Sequence, residues 1–99
     1  MEPHCIRISD VVVSNAGRDR AQLFYVIATE GLYTLLANGK DRTLEKPKRK
    51  KFKHVNKVLC AETRVAAKLI AGDKVLNSEL RKDLAYIRQA MKQSHNQGG

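Results

Sequence analysis

The sequence has few aromatic residues, few cysteines and no long apolar run. Aromatic residues make up 5% of its 99 positions and none is tryptophan, which argues against a broad platform on which several bases stack. The two cysteines, Cys5 and Cys60, form no Cys-x-x-Cys pair and have no paired histidines beside them. We therefore predict two reduced thiols and no metal site, with one long-range disulfide as the alternative.

Signals for export, membrane insertion and catalysis are also missing. The first residues lack the basic and apolar regions of a signal peptide, and no apolar stretch is long enough to span a bilayer. The three histidines have no Ser, Cys or carboxylate at a spacing that implies a catalytic triad, and no glycine-rich nucleotide loop is present. We predict a cytoplasmic protein that is not an enzyme and uses no cofactor, small-molecule substrate or membrane.

Positive charge is abundant and concentrated in one place. The net charge is +9, and residues 40–57 carry nine basic and two acidic side chains, which is +7 of that total. An excess of this size favours an anionic partner such as nucleic acid, a membrane surface or an acidic protein.

The first half of the chain has the pattern of short strands. Apolar and β-branched residues recur in residues 6–14, 23–28 and 32–37, separated by the turn residues Asn15 to Asp19 and Glu30-Gly31. Asn38-Gly39 is a hairpin signal, after which residues 42–45 are predicted to form a return strand. Pro47 lacks an N–H, so the basic segment (residues 46–53) should begin as a loop or an edge, and residues 54–59 should close the sheet. Four or five strands at about 10-residue spacing favour a small barrel.

The second half changes to a helical period. Residues 61–71 carry an apolar stripe that ends at Gly72, and Asn77 or Ser78 is placed to cap a second helix. Leu80, Leu84, Ile87 and Met91 recur along one face of that helix, either to pack on the barrel or to meet a partner. We predict a mainly β barrel at residues 1–58, an extension of one or two short helices at 59–93 and a flexible tail at 94–99.

Two segments resemble a known family. The run AGRD at residues 16–19 lies between two predicted strands, and the run EKPKRKKFKH at residues 45–54 follows about 25 residues later. In this order they resemble the small bacterial KOW-domain RNA-binding proteins, which are related to KOW-containing large-subunit ribosomal proteins of archaea and eukaryotes. The resemblance implies an SH3-like barrel and RNA binding in a ribosomal or ribosome-associated role.

The sequence departs from that pattern at two positions. KOW proteins often have glycine near the positions that Ser9 and Ala21 occupy here. If the backbone keeps positive φ at these positions, each side chain costs on the order of 1 kcal/mol.

The candidate RNA-binding residues follow from the charge and the resemblance. Six of the eight residues of the basic segment are cationic, and such a density of like charges is relieved by a polyanion. A solvated face, an address signal and a membrane contact are the alternatives for this segment, and a plain turn is the alternative for the Gly17 loop. The predicted site comprises Gly17, Arg18, Arg20, Lys40, Arg42, Lys46, Lys48, Arg49, Lys50, Lys51, Phe52, Lys53 and His54.

The predicted partner is RNA, with ribosomal RNA and the ribosome favoured by the resemblance. Phe52 and His54 are better candidates for stacking on a base than Phe24, Tyr25 and Tyr33, which lie in strand patterns. The alternative function is a protein-interaction module that acts through the barrel or the amphipathic second helix.

Overall fold

The protein folds as a five-stranded antiparallel sheet followed by two helices. A computed structural model describes the backbone of residues 5–97 and the side chains of residues 5–92. The strands are β1 (Asp10–Ser14), β2 (Leu23–Glu30), β3 (Tyr33–Ala37), β4 (Lys48–Lys51) and β5 (Val55–Cys60), and a single 3₁₀ turn, Phe52–His54, joins the last two. The helices are α1 (Arg64–Ala71) and α2 (Asn77–Gln97). The prediction of strands first and helices second is confirmed.

The sheet is open. Its strand order is β4-β3-β2-β1-β5, and every neighbouring pair is antiparallel. The register shifts within β2 next to β3, and again within β1 next to β5, as β-bulges do where a strand bends. Among the residues described, β4 and β5 stay unpaired with each other, so closure into a barrel is not confirmed.

Each face of the sheet has its own apolar core. On one face Val11, Leu23 and Tyr25 pack against Leu80 and Leu84 of α2, together with α1 residues. Strand alternation sends the intervening residues to the other face, where Val12, Phe24, Val26 and Leu36 meet Ile6, Phe52 and Val55. The predicted extension is therefore part of the same folded unit as the sheet.

The apolar stripe of α2 is mostly used for this packing. Leu80 is fully buried and Leu84 and Ile87 nearly so, whereas Met91 is exposed. Fully burying a leucine side chain contributes roughly 2 kcal/mol, so the stripe stabilises the docking of α2 on the sheet. The helix runs through Gln97, so residues 94–97 of the predicted tail are helical, and residues 98–99 lie outside the described chain.

The helix ends follow the predicted chemistry with one correction. Thr63 caps α1 by accepting a hydrogen bond from Ala66 N–H, and Gly72 ends that helix with φ of 78°. At α2 the Leu76 N–H donates to Glu79 Oε1 at 2.9 Å, which is the returning half of a capping box. The prediction that Asn77 or Ser78 caps α2 is wrong, because the helix already begins at Asn77 and Leu76 holds the cap position. The Asn77 side chain contacts a loop instead.

That loop explains the one strand that does not form. Residues 42–45 are irregular, and the fourth strand is the basic segment itself. Asn38 Oδ1 accepts from the N–H groups of Lys40 and Arg42, and Asn77 Oδ1 accepts from Leu44 N–H. Because side chains satisfy these backbone donors, the segment needs no neighbouring strand.

No helix in the part of the chain that the structure covers is long and apolar enough to cross a membrane.

Candidate nucleic-acid interface

The basic segment forms β4, an edge strand whose side chains alternate between the two faces of the sheet. Lys48 and Lys50 pair with Leu36 and Thr34 of β3, while Arg49 pairs with Leu35. Alternation therefore sends Lys50 to the same face as buried Thr34 and Leu36, and Arg49 to the opposite face. The cations that are neighbours in the sequence therefore point to opposite faces of the sheet.

Lys50 lies in the interior. Its side chain is only 9% exposed, and Nζ lies 2.7 Å from Asp19 Oδ1 and donates to Ala16 O at 2.8 Å. Ser14 Oγ donates to the same Asp19 oxygen. Lys50 was predicted as an RNA contact, but this ion pair occupies its ammonium and removes it from the exposed surface.

The ionisation of Asp19 reflects this pairing. Burial of its carboxyl raises the pKa, but the hydrogen bonds from Lys50 and Ser14 and the charge of Lys50 outweigh burial and lower the pKa below 3.8. The carboxylate is therefore charged at neutral pH, and it fixes the Gly17 loop (residues 15–21) to β4.

The Gly17 loop and the basic segment consequently lie side by side. Besides the Lys50 contacts, Asn15 Nδ2 donates to Lys53 O at 3.4 Å, and Asn15 N–H donates to His54 O at 3.0 Å. Gly17 has φ of 82°, a conformation that glycine adopts without steric cost. Arg18 and Arg20 are exposed on this loop, which Lys50 holds against β4.

Arg49 lies over an aromatic ring. Its guanidinium carbon is 3.8 Å from the centre of the Tyr33 ring, and its Nε is 3.5 Å from Glu30 Oε1. Both partners are half-exposed side chains. The cation–π contact holds the guanidinium flat, and Glu30 offsets part of its charge.

The other predicted cations are available to a ligand. None of these remaining cations forms an ion pair with a carboxylate among residues 5–92. The ion pairs in that range belong to Arg49, Lys50, Lys57 and Lys68. They are exposed or half-buried at Arg18, Arg20, Lys40, Arg42, Lys46, Lys48, Lys51 and Lys53.

The predicted stacking residues have different surroundings. Phe52 is 8% exposed and belongs to an apolar core, although it also lines a shallow cavity of about 200 Å³ with Leu32, Lys51 and Lys53. His54 is half-buried. Phe24 and Tyr25 are fully buried, as their strand pattern predicted.

Sequence reasoning missed two arginines of α2. Arg81 and Arg88 line a cleft of about 390 Å³ together with Lys40 and Asn38. Their spacing of seven residues, two helical turns, places them on one side of α2. The spacing of the two arginines can be read from the sequence. The loops that pack against this side of α2 cannot, so the sequence alone does not reveal the cleft.

Comparison with protein-family models and with curated proteins finds no match to this chain.

Proposed function

We propose that this protein binds RNA through the surface formed by the Gly17 loop and β4, in a ribosomal or ribosome-associated role. The observation that carries the proposal is the buried Lys50–Asp19 ion pair. It fastens a loop with two exposed arginines to the strand that carries Lys48, Arg49 and Lys51, so cations from distant parts of the chain lie in one region. Phosphate groups are the ligands that such a surface attracts most strongly.

Two features of the fold support a KOW-type, SH3-like barrel. Ser9 and Ala21 have φ of 76° and 73°, so the backbone takes the glycine-favoured conformation at both positions where KOW proteins often have glycine. Phe52 and Val55, at the β4–β5 junction, pack against Val26 and Leu36 of the inner strands. The chain on both sides of the β4–β5 turn thus packs into the apolar core on one face of the sheet, and this packing supports the proposal of a small barrel.

RNA fits this surface better than duplex DNA. Both helices contribute side chains to the apolar core against the sheet, and the predicted site lies in loops and an edge strand. Loops of this kind suit irregular or single-stranded RNA more than the regular major groove of DNA.

The surface also has a simpler interpretation. Lysines on an edge strand keep it from pairing with other chains, and β4 is such an edge. A purely protective role requires no ligand. A measurement of RNA binding therefore distinguishes an RNA-binding surface from a protected edge strand. The alternative of a protein-interaction module is based mainly on the apolar stripe of α2. Leu80, Leu84 and Ile87 of that stripe are buried in the chain's own core, so they do not support it.

The decisive experiment is fluorescence anisotropy with a labelled single-stranded RNA about 12 nucleotides long, titrated at several salt concentrations. With about six phosphate contacts the log–log slope of affinity against salt should be roughly −4. The variant Lys48→Gln/Arg49→Gln/Lys51→Gln should bind more than tenfold more weakly, with the slope reduced in magnitude by about 2.

The matched control is Lys74→Gln/Lys82→Gln/Lys92→Gln, which removes the same charge from exposed positions elsewhere. We expect it to change affinity by about twofold, since only long-range charge is lost. Equal losses in the two triple variants, or binding that ignores salt, would contradict the proposal. For the ribosomal role, the test is crosslinking in cells, with crosslinks expected at Lys48, Lys51 and Arg18 and recovered in ribosomal RNA; crosslinks confined to other RNAs would exclude it.

A further inference from the structure

A second group of basic side chains lines a cleft between the Asn38 turn, the start of β2 and α2. The cleft of about 390 Å³ has the size of a ligand pocket. Three cations line it, Lys40, Arg81 and Arg88, and Asp41 is the one acidic side chain among the described lining residues. The lining therefore carries a net positive charge.

Both arginines are held at the edge of the cleft by backbone carbonyl groups. Arg81 Nη1 donates to Gly39 O at 2.6 Å, and Arg88 Nη2 donates to Ala21 O at 3.0 Å. A guanidinium has five N–H donors, so each keeps donors for a further acceptor, and neither forms an ion pair within the described chain. Fixed guanidinium groups lose little conformational entropy when they bind phosphate.

The space between the arginines is kept open by a small residue. Ala85 lies between Arg81 and Arg88 on the cleft side of α2 and is exposed. The Asn38 turn lies so close to α2 that Gly39 leaves no room for a side chain. A Cβ atom there would lie 3.2 Å from Arg81 Cγ and even closer to the Asn77 backbone. The wall of the cleft therefore has a defined position relative to the helix.

This cleft continues toward the proposed RNA surface. A smaller cavity of about 140 Å³ is lined by Arg18, Arg42, Phe24 and Asp19, whose carboxylate is paired with Lys50, and it shares Gln22 and Asp41 with the larger cleft. Arg18 belongs to the Gly17 loop, which Lys50 fastens to β4. Cations thus follow one another from α2 past Arg42 and Arg18 to the basic segment.

We propose that the cleft is a second phosphate-binding site for the same RNA strand, with Arg81, Arg88 and Lys40 as its contacts. This inference rests on the proposed function, because it extends the RNA path from β4 across the Gly17 loop onto α2. Arg81 and Arg88 lie about 10 Å apart along the helix axis, which lets them contact different phosphate groups of one strand. The C-terminal helix is then part of the binding surface as well as a support for the sheet.

The test introduces a carboxylate into the cleft without altering the anchored arginines. Ala85→Glu changes an exposed helical position to another good helix former. Ala90→Glu is the matched control, since it makes the same change on the same helix about 140° away around the axis and outside the cleft lining. Both are titrated with the single-stranded RNA of about 12 nucleotides used for β4.

We expect Ala85→Glu to weaken binding by tenfold or more, with the salt slope reduced in magnitude by about 1 to 2, and Ala90→Glu to change affinity by about twofold. A second pair, Arg88→Gln against Lys74→Gln, an exposed position outside α2, covers the case in which Ala85→Glu fails to fold. Equal effects within the pair that folds would overturn the inference.

The β4 triple variant separates the two proposals. If that variant loses affinity and Ala85→Glu does not, the RNA surface stands and the cleft is not part of it. If the unmodified protein does not bind the RNA, both fail. If Ala85→Glu leaves RNA binding intact but abolishes the binding of an acidic peptide, the cleft is a protein site and the inference is wrong.

Discussion

Lys50 Nζ lies 2.7 Å from Asp19 Oδ1, a carboxylate 31 residues earlier in the chain. This pair joins the fourth strand to the loop between the first two strands. Lys50 also donates to Ala16 O, so one ammonium group holds both ends of the turn around Gly17. The most basic part of the sequence therefore contains a residue that serves the fold, among neighbours that we propose serve the ligand.

Lys50→Ala should consequently lower the stability of the fold, whereas Lys48→Ala should lower RNA affinity and leave stability nearly unchanged. Lys50→Ala leaves the mostly buried Asp19 carboxylate without its cation, and we expect the free energy of unfolding to fall by about 3 kcal/mol. Lys48→Ala removes a cation that forms no described ion pair, so stability should change by less than about 0.5 kcal/mol while RNA affinity falls. Urea unfolding followed by circular dichroism and anisotropy on the same samples measure both. Similar stability for the two variants would show that the ion pair contributes little.

The depressed pKa of Asp19 gives the protein an acid-sensitive contact. Because the pKa of the folded state lies below its ordinary value, the ionised carboxylate stabilises the fold at neutral pH. That contribution is lost as the pH falls below about 4 and through the folded-state pKa. The stability difference between the natural protein and Asp19→Asn should therefore shrink between about pH 5 and pH 2.

Asp73→Asn is the control for this titration, since Asp73 is exposed and lacks an ion pair among the described residues. Urea unfolding at each pH gives the three curves. A difference between the natural protein and Asp19→Asn that stays constant with pH would show that the carboxylate is not preferentially stabilised in the folded state.

Ala21→Gly should stabilise the protein. Ala21 has φ of 73°, a region in which a side chain costs on the order of 1 kcal/mol. We expect the free energy of unfolding to rise by about 0.5 to 1 kcal/mol, because relief of this strain exceeds the extra entropy of glycine in the unfolded chain. Ala67→Gly, an exposed position inside α1, should lower it by about 1 kcal/mol. Thermal melts of both variants decide the matter, and destabilisation by Ala21→Gly would contradict the loop conformation.

Local signals account for the elements that the sequence predicted well. Alternating β-branched residues indicated β1 to β3, and Gly72 marked the end of α1. The spacing of Leu80, Leu84 and Ile87 indicated the buried face of α2, which ends before the exposed Met91. These features depend on neighbours within a few residues. The departures at Ser9 and Ala21 were visible for the same reason, since each concerns the conformation of a single residue.

The features that the sequence did not predict depend on contacts between distant residues. The predicted strand at 42–45 is a loop because Asn77, 33 residues away, satisfies the Leu44 N–H. The sequence alone does not distinguish Lys50 from the neighbouring cations of the basic segment. Only its pairing with Thr34 and Asp19 shows that its side chain points inward. The cleft residues Arg81 and Arg88 depend on where α2 docks, which the helical period alone does not specify.

The docking of both helices involves one buried hydroxyl. Tyr25 of β2 is fully buried, and its hydroxyl donates to Asp83 Oδ2 of α2 at 2.7 Å and lies 3.1 Å from Thr63 Oγ1, the cap of α1. Burial raises the pKa of this hydroxyl well above 10, and the Asp83 carboxylate raises it further against the lowering effect of Thr63. The neutral phenol is therefore the form that the folded protein holds.

Tyr25→Phe should lower the free energy of unfolding by about 1 to 3 kcal/mol, because Asp83 loses a donor in a partly buried position. Tyr33→Phe, at a ring that is not fully buried, should change it by less than about 0.5 kcal/mol. A raised folded-state pKa means that the stabilisation by Tyr25 is complete below about pH 10 and declines as the pH rises beyond it. Urea unfolding of the natural protein and Tyr25→Phe at neutral and alkaline pH should therefore give stabilities that converge above about pH 10. Curves that stay parallel would show that the hydroxyl titrates alike in the folded and unfolded chains, and curves that coincide would show that it does not hold the helices on the sheet.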